Sequence, residues 1–325
     1  MKYTELCQAI HRHHNFVVIS HFRPDGDAIG STLALGLALR ALGKNVQMWN
    51  EDPAPSRFSF LEGSQDILPV PPALPEGTDC FICVDTADSK RIGDEAMKRL
   101  QEAPFSVNID HHASNLRYAH LNVVEGNAAA CGCIIAGIIA ELGVTLTQPM
   151  AAALYAAIST DTGSFQFSST TPEVMRLVAD LMETGLDVGN INKRIWMESP
   201  LTVYAMQKEV LNNMVIEAEG ALSHYSLPAG KKAELGVGME DSKDLVDYIR
   251  CWKGVKVSAI FEDLEDGRIR VSLRSKEPAI NVGAIAGEHG GGGHAMASGI
   301  RMAGSLEECR EKVLNSLRRE LNKLS

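Results

Sequence analysis

The chain has 325 residues, of which 45% are hydrophobic and 22% charged, and its formal net charge is -10. This length exceeds the size at which one hydrophobic core usually stops growing, so we expect two domains. The composition excludes wholesale disorder, and the acidic balance argues against capture of long duplex nucleic acid, which needs lysines and arginines to neutralise phosphates. A short phosphorylated ligand is compatible with this acidic composition, because bound divalent cations reverse the sign of the local electrostatic potential at a carboxylate-rich site.

The amino-terminal sequence and the cysteines indicate a reducing compartment. Histidines stand where a signal peptide has its apolar run, and the most apolar helical stretch, 128–143, is shorter than the ~18 residues that span a membrane. Seven cysteines are an odd number, and Cys80 and Cys83 lie in an apolar, strand-like run. Buried thiols are therefore favoured over a zinc or redox site. We expect a cytoplasmic protein without a membrane partner.

In the first half of the chain, β-rich runs alternate with helical stretches. This alternation is typical of βαβ units and predicts a largely parallel sheet with helices on both faces. Thr170 and Thr171 are suited to cap the last helix, and Gly185 to end it. Strands are predicted over 16–20, 45–50, 81–85 and 105–110, and helices over 28–42, 91–101, 128–142, 148–160 and 172–185.

After residue 187 the pattern is first helical and then β-rich. Two alternating runs within 255–275 are joined by a short turn and predict a hairpin. Ser305 and Glu308 fit a capping box at the start of a final amphipathic helix. We therefore predict an α/β fold in three parts: an amino-terminal parallel-sheet domain over 1–190, a helical linker over 191–213 and a smaller α/β domain over 214–325.

Residues of the kind that bind metals follow three of the predicted strands. The carboxyl ends of parallel strands form the edge at which ligands bind, so these side chains are expected to lie together. Each one alone is explained equally well as a turn former or a helix cap. Several carboxylates buried at one edge, however, are costly without cations. The residues are His21, Asp25, Asp27, Asp85, Asp110, His111 and His112.

The donor types narrow the choice of ion. Carboxylates and imidazoles without a thiolate suit a hard or borderline cation such as Mn²⁺ better than a structural zinc. Mg²⁺ and Co²⁺ stay open as alternatives. The glycine between Asp25 and Asp27 lets the loop bend sharply, so that both carboxylates can point toward neighbouring ions.

Five segments of the chain resemble one known family. HFRPDGDAIGS at 21–31 resembles the HxxPDxDxxGS motif that opens the DHH phosphoesterases, and VDT at 84–86, DHH at 110–112 and STDTGSF at 159–165 match the next three motifs in order. GEHGGGGHAMASG at 287–299 resembles the GGGH motif of the DHHA1 domain that accompanies the family, and the preceding LRS tripeptide fits as well. The resemblance spans both predicted domains and is most like the bifunctional oligoribonuclease and PAP phosphatase branch.

The resemblance implies two metal ions that share Asp85 as a bridging ligand. It also implies that His112 faces the scissile phosphate as a positioning or acid group, while Asp110 orients neighbouring ligands. The first ion is implied at His21, Asp25 and Asp85, and the second at Asp27, Asp85, His111 and Asp161.

The second domain is expected to hold the rest of the substrate. Four consecutive glycines, Gly290 to Gly293, let the backbone approach a phosphate closely, and Arg274 adds a permanent charge. A flexible linker is the alternative interpretation, but helix-like and strand-like segments flank the run. The predicted substrate-binding residues are Arg274, Ser275, Gly291, Gly292, Gly293, His294 and Ser298.

These expectations describe a phosphoesterase in which two metal ions activate water, without a covalent enzyme intermediate. The expected substrates are short single-stranded oligonucleotides, which yield mononucleotides, and PAP, which loses its 3′-phosphate. A homodimer is compatible with the sequence. The aromatic residues Trp196 and Trp252 could stack bases, but filling a core or an interface is the favoured interpretation.

Three alternative functions remain at this point. A manganese inorganic pyrophosphatase uses a similar metal cluster, and a cyclic-dinucleotide phosphodiesterase acts on a related substrate. A non-catalytic nucleotide-binding module is less favoured, because it would be expected to lack at least one of the acidic ligands. The four aspartates at 25, 27, 85 and 161 are all present.

Overall fold

The computed structural model describes residues 2–237 and 245–324 of the chain. The chain divides into two compact units, Met1–Glu198 and Ser199–Ser325. Each unit has its own hydrophobic core, in agreement with the expectation from chain length. Among the described residues, no helix combines the length and the apolar character that crossing a membrane requires.

The boundary between the units lies within the segment 191–213 that was predicted as a linker. Ile195 packs into the core of the first unit, whereas Met206 and Val210 pack into a core of the second. Both ends of the segment thus bury apolar side chains.

The first unit contains a sheet whose strands are all parallel. Its described strands are β1 Asn15–Ile19, β2 Asn45–Asn50, β3 Ile67–Pro69, β4 Cys80–Val84, β5 Ser106–Asp110 and β6 Leu121–Val124. They are arranged in the order β3-β2-β1-β4-β5-β6, and each neighbouring pair is parallel. The four predicted strands are confirmed. Only β3 and β6, which are short and lie at the edges, have no predicted counterpart.

Helices cover both faces of this sheet, as predicted. Ile29, Leu33 and Leu154 pack on one face with Val18 of β1, whereas Val17 points to the other face. That second face is covered by a helix that contributes Leu100. The described helices are α1 Thr4–Arg12, α2 Gly26–Ala41, α3 Asp94–Glu102, α4 Cys131–Glu141, α5 Gln148–Asp161, α6 Pro172–Met182 and α7 Val188–Asn192, followed by a π-helix at Lys193–Met197.

Two glycines allow α2 and α5 to approach closely. A Cβ on Gly30 would lie 2.3 Å from the backbone oxygen of Ala153, and one on Gly26 would lie 2.3 Å from Oγ1 of Thr160. The helix begins at Gly26, two residues before its predicted start, because the carboxylate of Asp25 accepts a hydrogen bond from the amide of Ala28 and caps it. The first turn of α2 therefore lies against the last turn of α5.

Five of the seven cysteines are buried, including Cys80 and Cys83 as predicted, whereas Cys133 is half-buried and Cys251 is exposed. All seven lie within the described residues, and none of them forms a disulfide. Cys80 and Cys83 of β4 are buried on opposite faces of the sheet. Burial raises the pKa of Cys83 to about 12, so its thiol stays protonated and inert at neutral pH.

The second unit contains a mixed sheet. The described strands are β7 Val215–Glu217, β8 Leu222–Leu227, β9 Val257–Asp263, β10 Arg268–Ser275, β11 Gly292–Gly293 and β12 Ala297–Ala303. Their order is β11-β12-β10-β9-β8-β7, and among the described pairs β8 and β9 alone are parallel. The described helices are α8 Leu201–Asn213, α9 Lys231–Glu234, α10 Leu245–Arg250, α11 Val282–Glu288 and α12 Leu306–Asn322.

Two local predictions in this unit are confirmed. The predicted hairpin is formed by β9 and β10, which pair antiparallel with Ile269 opposite Asp263. The capping box is present at α12. The side chain of Ser305 accepts from the backbone amide of Glu308, and the side chain of Glu308 accepts from the backbone amide of Ser305. Both features depend on residues that are close in the sequence, which is why the sequence pattern reveals them.

Candidate metal centre

The residues predicted as metal ligands converge at the carboxyl edge of the parallel sheet. The strands β1, β4 and β5 each end there, and the last turn of α5 reaches the same edge because α5 packs against α2. Residues far apart in sequence are thereby brought together. The set comprises His21, Asp25, Asp27, Asp85, His111 and Asp161.

Asp85 lies at the centre of this cluster. Nε2 of His21 is 3.5 Å from Oδ2 of Asp85, and Nε2 of His111 is 3.5 Å from its Oδ1. The two carboxylate oxygens therefore face different histidines. Asp85 has a φ of 52°, a left-handed conformation that non-glycine residues adopt only where the surrounding structure imposes it.

Both histidines direct Nε2 into the cluster. Nδ1 of His21 lies 2.8 Å from the backbone oxygen of Phe22, and Nδ1 of His111 lies 3.1 Å from that of Ala128. A carbonyl can only accept, so Nδ1 is the donor in each case. The hydrogen bond fixes the ring orientation and aims Nε2 at the carboxylates, an arrangement typical of metal-binding histidines.

Asp27 is held rigidly at the start of α4. The amides of Cys131 and Gly132 donate to its two oxygens over 2.6 and 2.9 Å, and the hydroxyl of Ser31 donates over 3.0 Å. The positive end of the α4 dipole adds to these contacts. Across the cluster, Oδ2 of Asp161 lies 3.4 Å from Nε2 of His111. Asp27 and Asp161 thus both approach the same imidazole.

The electrostatics of the cluster reflect crowded, buried carboxylates. Burial alone lowers the pKa of His21, but the nearby carboxylates of Asp25 and Asp85 outweigh it and raise the pKa to about 10. For His111, burial is likewise outweighed by Asp85 and by the charge of Asp27, and its pKa rises to about 11. The carboxylates thus create a negative potential that favours a cation at this site.

The carboxylates differ among themselves. Burial raises the pKa of Asp161 to about 7 although the charge of His111 opposes it, and burial together with the charges of Asp85 and Asp161 raises the pKa of Asp27 well above its usual range. At Asp85 the effect of burial is exceeded by the nearby imidazoles of His111 and His21, which hold its pKa well below normal. The cluster requires cationic compensation, which divalent ions supply.

The spacing of the cluster fits metal ligands. The distances from histidine Nε2 to carboxylate oxygen are 3.4–3.7 Å, longer than good hydrogen bonds. Ligands bound at about 2.0–2.2 Å to one ion lie roughly 3–3.5 Å apart. Among the described residues, nothing donates a hydrogen bond to the buried Oδ1 of Asp85. Oxygen and imidazole donors in this arrangement suit a hard or borderline divalent cation.

Asp85 belongs to more than one group of candidate ligands. Three groups of buried or half-buried residues within the first unit each place one ligand atom per residue within 4.8 Å of the others, and Asp85 is common to them. A carboxylate shared in this way is positioned to bridge two ions. The groups are His21, Asp25 and Asp85; Asp27, Asp85 and His111; and Asp85, Asp110 and His112.

His112 and Asp110, the two predicted catalytic residues, are in direct contact. Nδ1 of His112 donates to Oδ1 of Asp110 over 2.7 Å, and the amide of Asn115 donates to Oδ2 over 2.6 Å. Asn115 also donates to Oδ1 of Asn108, which lies on β5. Neither Asn115 nor Asn108 is among the site residues predicted from the sequence. A loop asparagine three residues after the DHH segment is the only sequence signal for Asn115, and it is a weak one.

In the second unit, the glycine run is folded and is not a linker. Gly292 and Gly293 form β11, paired with Gly299 and Ser298 of β12. A Cβ on Gly291 would lie 2.2 Å from the backbone oxygen of Gly299, so only glycine fits there. The amide of Gly291 donates to the backbone oxygen of Ala286, which shows that this amide serves the fold.

The polar side chains predicted to bind substrate differ in their surroundings. The hydroxyl of Ser298 donates to the backbone oxygen of Val282, and that of Ser275 to Glu277; both serines are buried. Arg274 is half-buried, with Nε 3.4 Å from a carboxylate oxygen of Asp247. His294 is exposed in the tight turn between β11 and β12. Arg274 and His294 are therefore the side chains with access to a ligand.

Together, the fold and this site define a metal-binding α/β protein with a second α/β unit. Residues 15–158 match the DHH family, N-terminal domain, and residues 226–323 match the DHHA1 domain. The chain belongs to the DHH family. The family resemblance noted in the sequence is thus confirmed over both units.

Relatives extend along almost the whole chain. The chain is 35% identical over 307 residues to the bifunctional oligoribonuclease and PAP phosphatase NrnA of Thermus thermophilus, covering 94% of this chain and 90% of that one. It is 28% identical to the protein of the same name from Bacillus subtilis, covering 91% and 92%. The crystal structure of an exopolyphosphatase-related protein from Bacteroides fragilis has a TM-score of 0.86 at 24% identity, covering 99% and 96%, and shares the fold.

Proposed function

We propose that this chain is a metal-dependent phosphoesterase that hydrolyses short single-stranded oligonucleotides to mononucleotides and removes the 3′-phosphate of PAP. The observation that carries the proposal is the buried cluster in which Asp85 lies between His21 and His111. The relatives in Thermus thermophilus and Bacillus subtilis, both named oligoribonuclease and PAP phosphatase, support the substrate class.

The cluster would hold two divalent cations that share Asp85. Mn²⁺ is the proposed ion, with Mg²⁺ and Co²⁺ as alternatives, because the donors are carboxylates and imidazoles. When bound, such a pair of ions lowers the pKa of water and neutralises charge on the phosphate. The first ion would be held by His21, Asp25 and Asp85, and the second by Asp27, Asp85, His111 and Asp161.

Hydrogen bonds from the surrounding chain hold these side chains in position. Backbone carbonyls orient His21 and His111, and backbone amides hold Asp27, so little rearrangement is needed when substrate arrives. Asp110 holds Nδ1 of His112 and leaves Nε2 to face the phosphate. Water would add to phosphorus and release a proton to solvent as the bond to the leaving oxygen breaks. His112, as the imidazolium, would use Nε2 to donate a hydrogen bond to the phosphate or to give its proton to the leaving oxygen.

The second unit would bind the remainder of a short substrate. Arg274 offers a planar, permanently charged donor and His294 an exposed imidazole. With a net charge of -10 the chain does not attract long duplexes, which agrees with a short substrate. A cytoplasmic location forms part of the proposal, and a homodimer stays open as an assembly state.

The test is product analysis with the purified full-length protein loaded with Mn²⁺ or Mg²⁺. Labelled single strands from two-mers to twenty-four-mers, PAP, pyrophosphate and a cyclic dinucleotide are compared. We expect mononucleotides from the shortest strands and phosphate from PAP, with slow turnover of the longest strand. An Asp85→Asn variant controls for contaminating enzymes.

Each other outcome has a clear meaning. No turnover of both dinucleotides and PAP by metal-loaded protein contradicts the proposal. Faster hydrolysis of pyrophosphate would identify a pyrophosphatase, and faster opening of the cyclic dinucleotide would identify a cyclic-dinucleotide phosphodiesterase. Nucleotide binding without any turnover would identify a non-catalytic module.

A further inference from the structure

Two large aromatic side chains are exposed near the end of α5 that carries Asp161. Trp196 is 41% exposed and Phe167 is 43% exposed. The sequence prediction for Trp196 favours a core or an interface, and its exposure excludes the core. We propose that Trp196 and Phe167 form a surface on which a nucleobase of the substrate stacks; the proposal rests on the proposed function and specifies where the base binds.

Trp196 is held to α5 by its polar edge. Its indole Nε1–H donates over 3.1 Å to Oγ of Ser159, which is fully buried two residues before Asp161. The neighbouring Ile195 packs into the core of the first unit, so the backbone at this point is held as well. Trp196 lies in the π-helix Lys193–Met197, a geometry found frequently at functional sites. The indole is therefore exposed but fixed.

Phe167 is held by the turn that follows α5. Gly163, Ser164 and Phe165 all have positive φ angles, between 56° and 66°, so the chain reverses direction after Asp161. The amide of Phe167 then donates over 3.0 Å to the backbone oxygen of Thr162. The ring lies so close to Gly163 that a Cβ there would be 2.4 Å from it. The position of the ring is set by the backbone.

The contact points of the two rings are neighbours. Ser159 lies in the last turn of α5 and Gly163 lies just after the helix, and the amide of Ser164 donates over 2.7 Å to the backbone oxygen of Ser159. Asp161, which approaches His111, lies on the same turn. The two exposed rings are thus anchored to Ser159 and Gly163, which stand on either side of Asp161 in the chain.

A neutral nucleobase suits this surface better than a charged group does. The metal centre would bind the phosphate, whereas a base is flat and neutral and its binding is stabilised by aromatic stacking. Stacking tolerates any base, because each has a π face. The surface therefore predicts an enzyme that needs a base close to the scissile phosphate but discriminates little between bases.

The test compares a dinucleotide with the same molecule lacking one base. For the wild-type protein with Mn²⁺, we expect kcat/KM for the intact dinucleotide to exceed that for the abasic one by roughly 5- to 100-fold. Trp196→Leu and Phe167→Leu should each bring this ratio toward one, chiefly through KM. Trp196→Phe keeps a flat ring and should restore most of the ratio. Metal content and thermal unfolding are measured for every variant.

Trp252 provides a matched control. It is 51% exposed and belongs to the second unit, so Trp252→Leu should leave the ratio at the wild-type value. If Trp196→Leu and Phe167→Leu both retain the wild-type ratio, the stacking surface is excluded, while the hydrolytic function still stands. If the wild type hydrolyses neither dinucleotide nor PAP, the proposed function fails instead.

Fluorescence provides a readout that does not depend on turnover. In a Trp252→Phe protein, Trp196 is the exposed tryptophan and Trp49 is buried. Titration with AMP should quench the emission of Trp196, and ribose 5-phosphate, which lacks a base, should not. Equal responses to both compounds, or to neither, overturn the proposal.

Discussion

Nδ1 of His112 donates a hydrogen bond of 2.7 Å to Oδ1 of Asp110, which is itself fully buried at the end of β5. The second oxygen of Asp110 accepts from Asn115. With both oxygens engaged, the carboxylate cannot rotate, and the imidazole has one orientation. In the proposed function, this orientation directs Nε2 of His112 at the phosphate.

Asp110→Asn should lower kcat without removing the metal ions. The amide has no charge with which to hold the His112 imidazolium in this orientation, and changes of this kind in groups that orient an active-site residue typically cost 10- to 100-fold. The measurements are steady-state hydrolysis of a dinucleotide and metal content by elemental analysis. Asp180→Asn, at an exposed position of the same unit, serves as control. An unchanged kcat would show that Asp110 does not orient the reacting group.

Asp85→Asn should remove metal binding and turnover together. Asp85 faces both His21 and His111, so an amide at this position weakens both candidate ion sites at once. We expect fewer than one bound ion per chain and a loss of roughly a thousandfold or more in kcat/KM. A variant that keeps two ions and full turnover would contradict a shared ligand.

Metal removal should lower thermal stability. Binding at one hundred times Kd stabilises a folded protein by about 2.7 kcal/mol, which corresponds to roughly 5–10 °C for a unit of this size. The midpoint of unfolding, measured with a chelator and then with added Mn²⁺, should recover by this amount in the wild type. In Asp85→Asn the added ion should have little effect. A similar recovery in that variant would place the stabilising ion elsewhere.

Gly30→Ala should destabilise the first unit. A Cβ would lie 2.3 Å from the backbone oxygen of Ala153, and a backbone atom cannot move aside without shifting α5. We expect a loss of about 1–3 kcal/mol in the free energy of unfolding, measured by denaturant titration. Gly189→Ala, in the exposed helix α7, has only ordinary contacts and should cause no loss. Equal effects of the two changes would argue against close packing of α2 and α5.

Arg274→Ala should raise KM for dinucleotides and PAP. Hydrogen bonds from a charged donor contribute about 1.5–3 kcal/mol, which corresponds to roughly a 10- to 100-fold change. Arg274→Lys keeps the charge but loses the planar fork and should be intermediate. Arg268→Ala is the control, because this exposed arginine of β10 pairs with Asp266. If both alanine variants have wild-type KM values, Arg274 does not bind substrate.

Local features of the fold could be predicted from the sequence. The strands β1, β2, β4 and β5 are apolar runs bounded by turns, and the capping box at Ser305 depends on residues three apart. The edge strands β3 and β6 could not be predicted, because three or four half-exposed residues carry no distinctive pattern. Their strand conformation depends on pairing with a neighbour.

The sequence predicts the candidate metal ligands better than it predicts the residues that hold them in place. Residue type and position after strands pointed to His21, Asp85 and His111, and the family motifs added Asp161. The residues that hold these ligands were not recognised, since Asn115 and the amide of Cys131 reach the site only after folding. The sequence left open whether Trp196 fills a core or an interface, and its exposed position excludes the core.

The sequence by itself determined which chemistry the chain carries: aspartates and histidines at the ends of parallel strands, in the order of the DHH motifs. Tertiary structure alone decided that Asp27 and Asp161 approach the same imidazole, because two helices pack closely through Gly26 and Gly30. It also decided which side chains form hydrogen bonds within the fold, such as Ser298, and which stay exposed, such as Phe167. Side-chain type is a local property, whereas distance and burial depend on contacts between residues far apart in the chain.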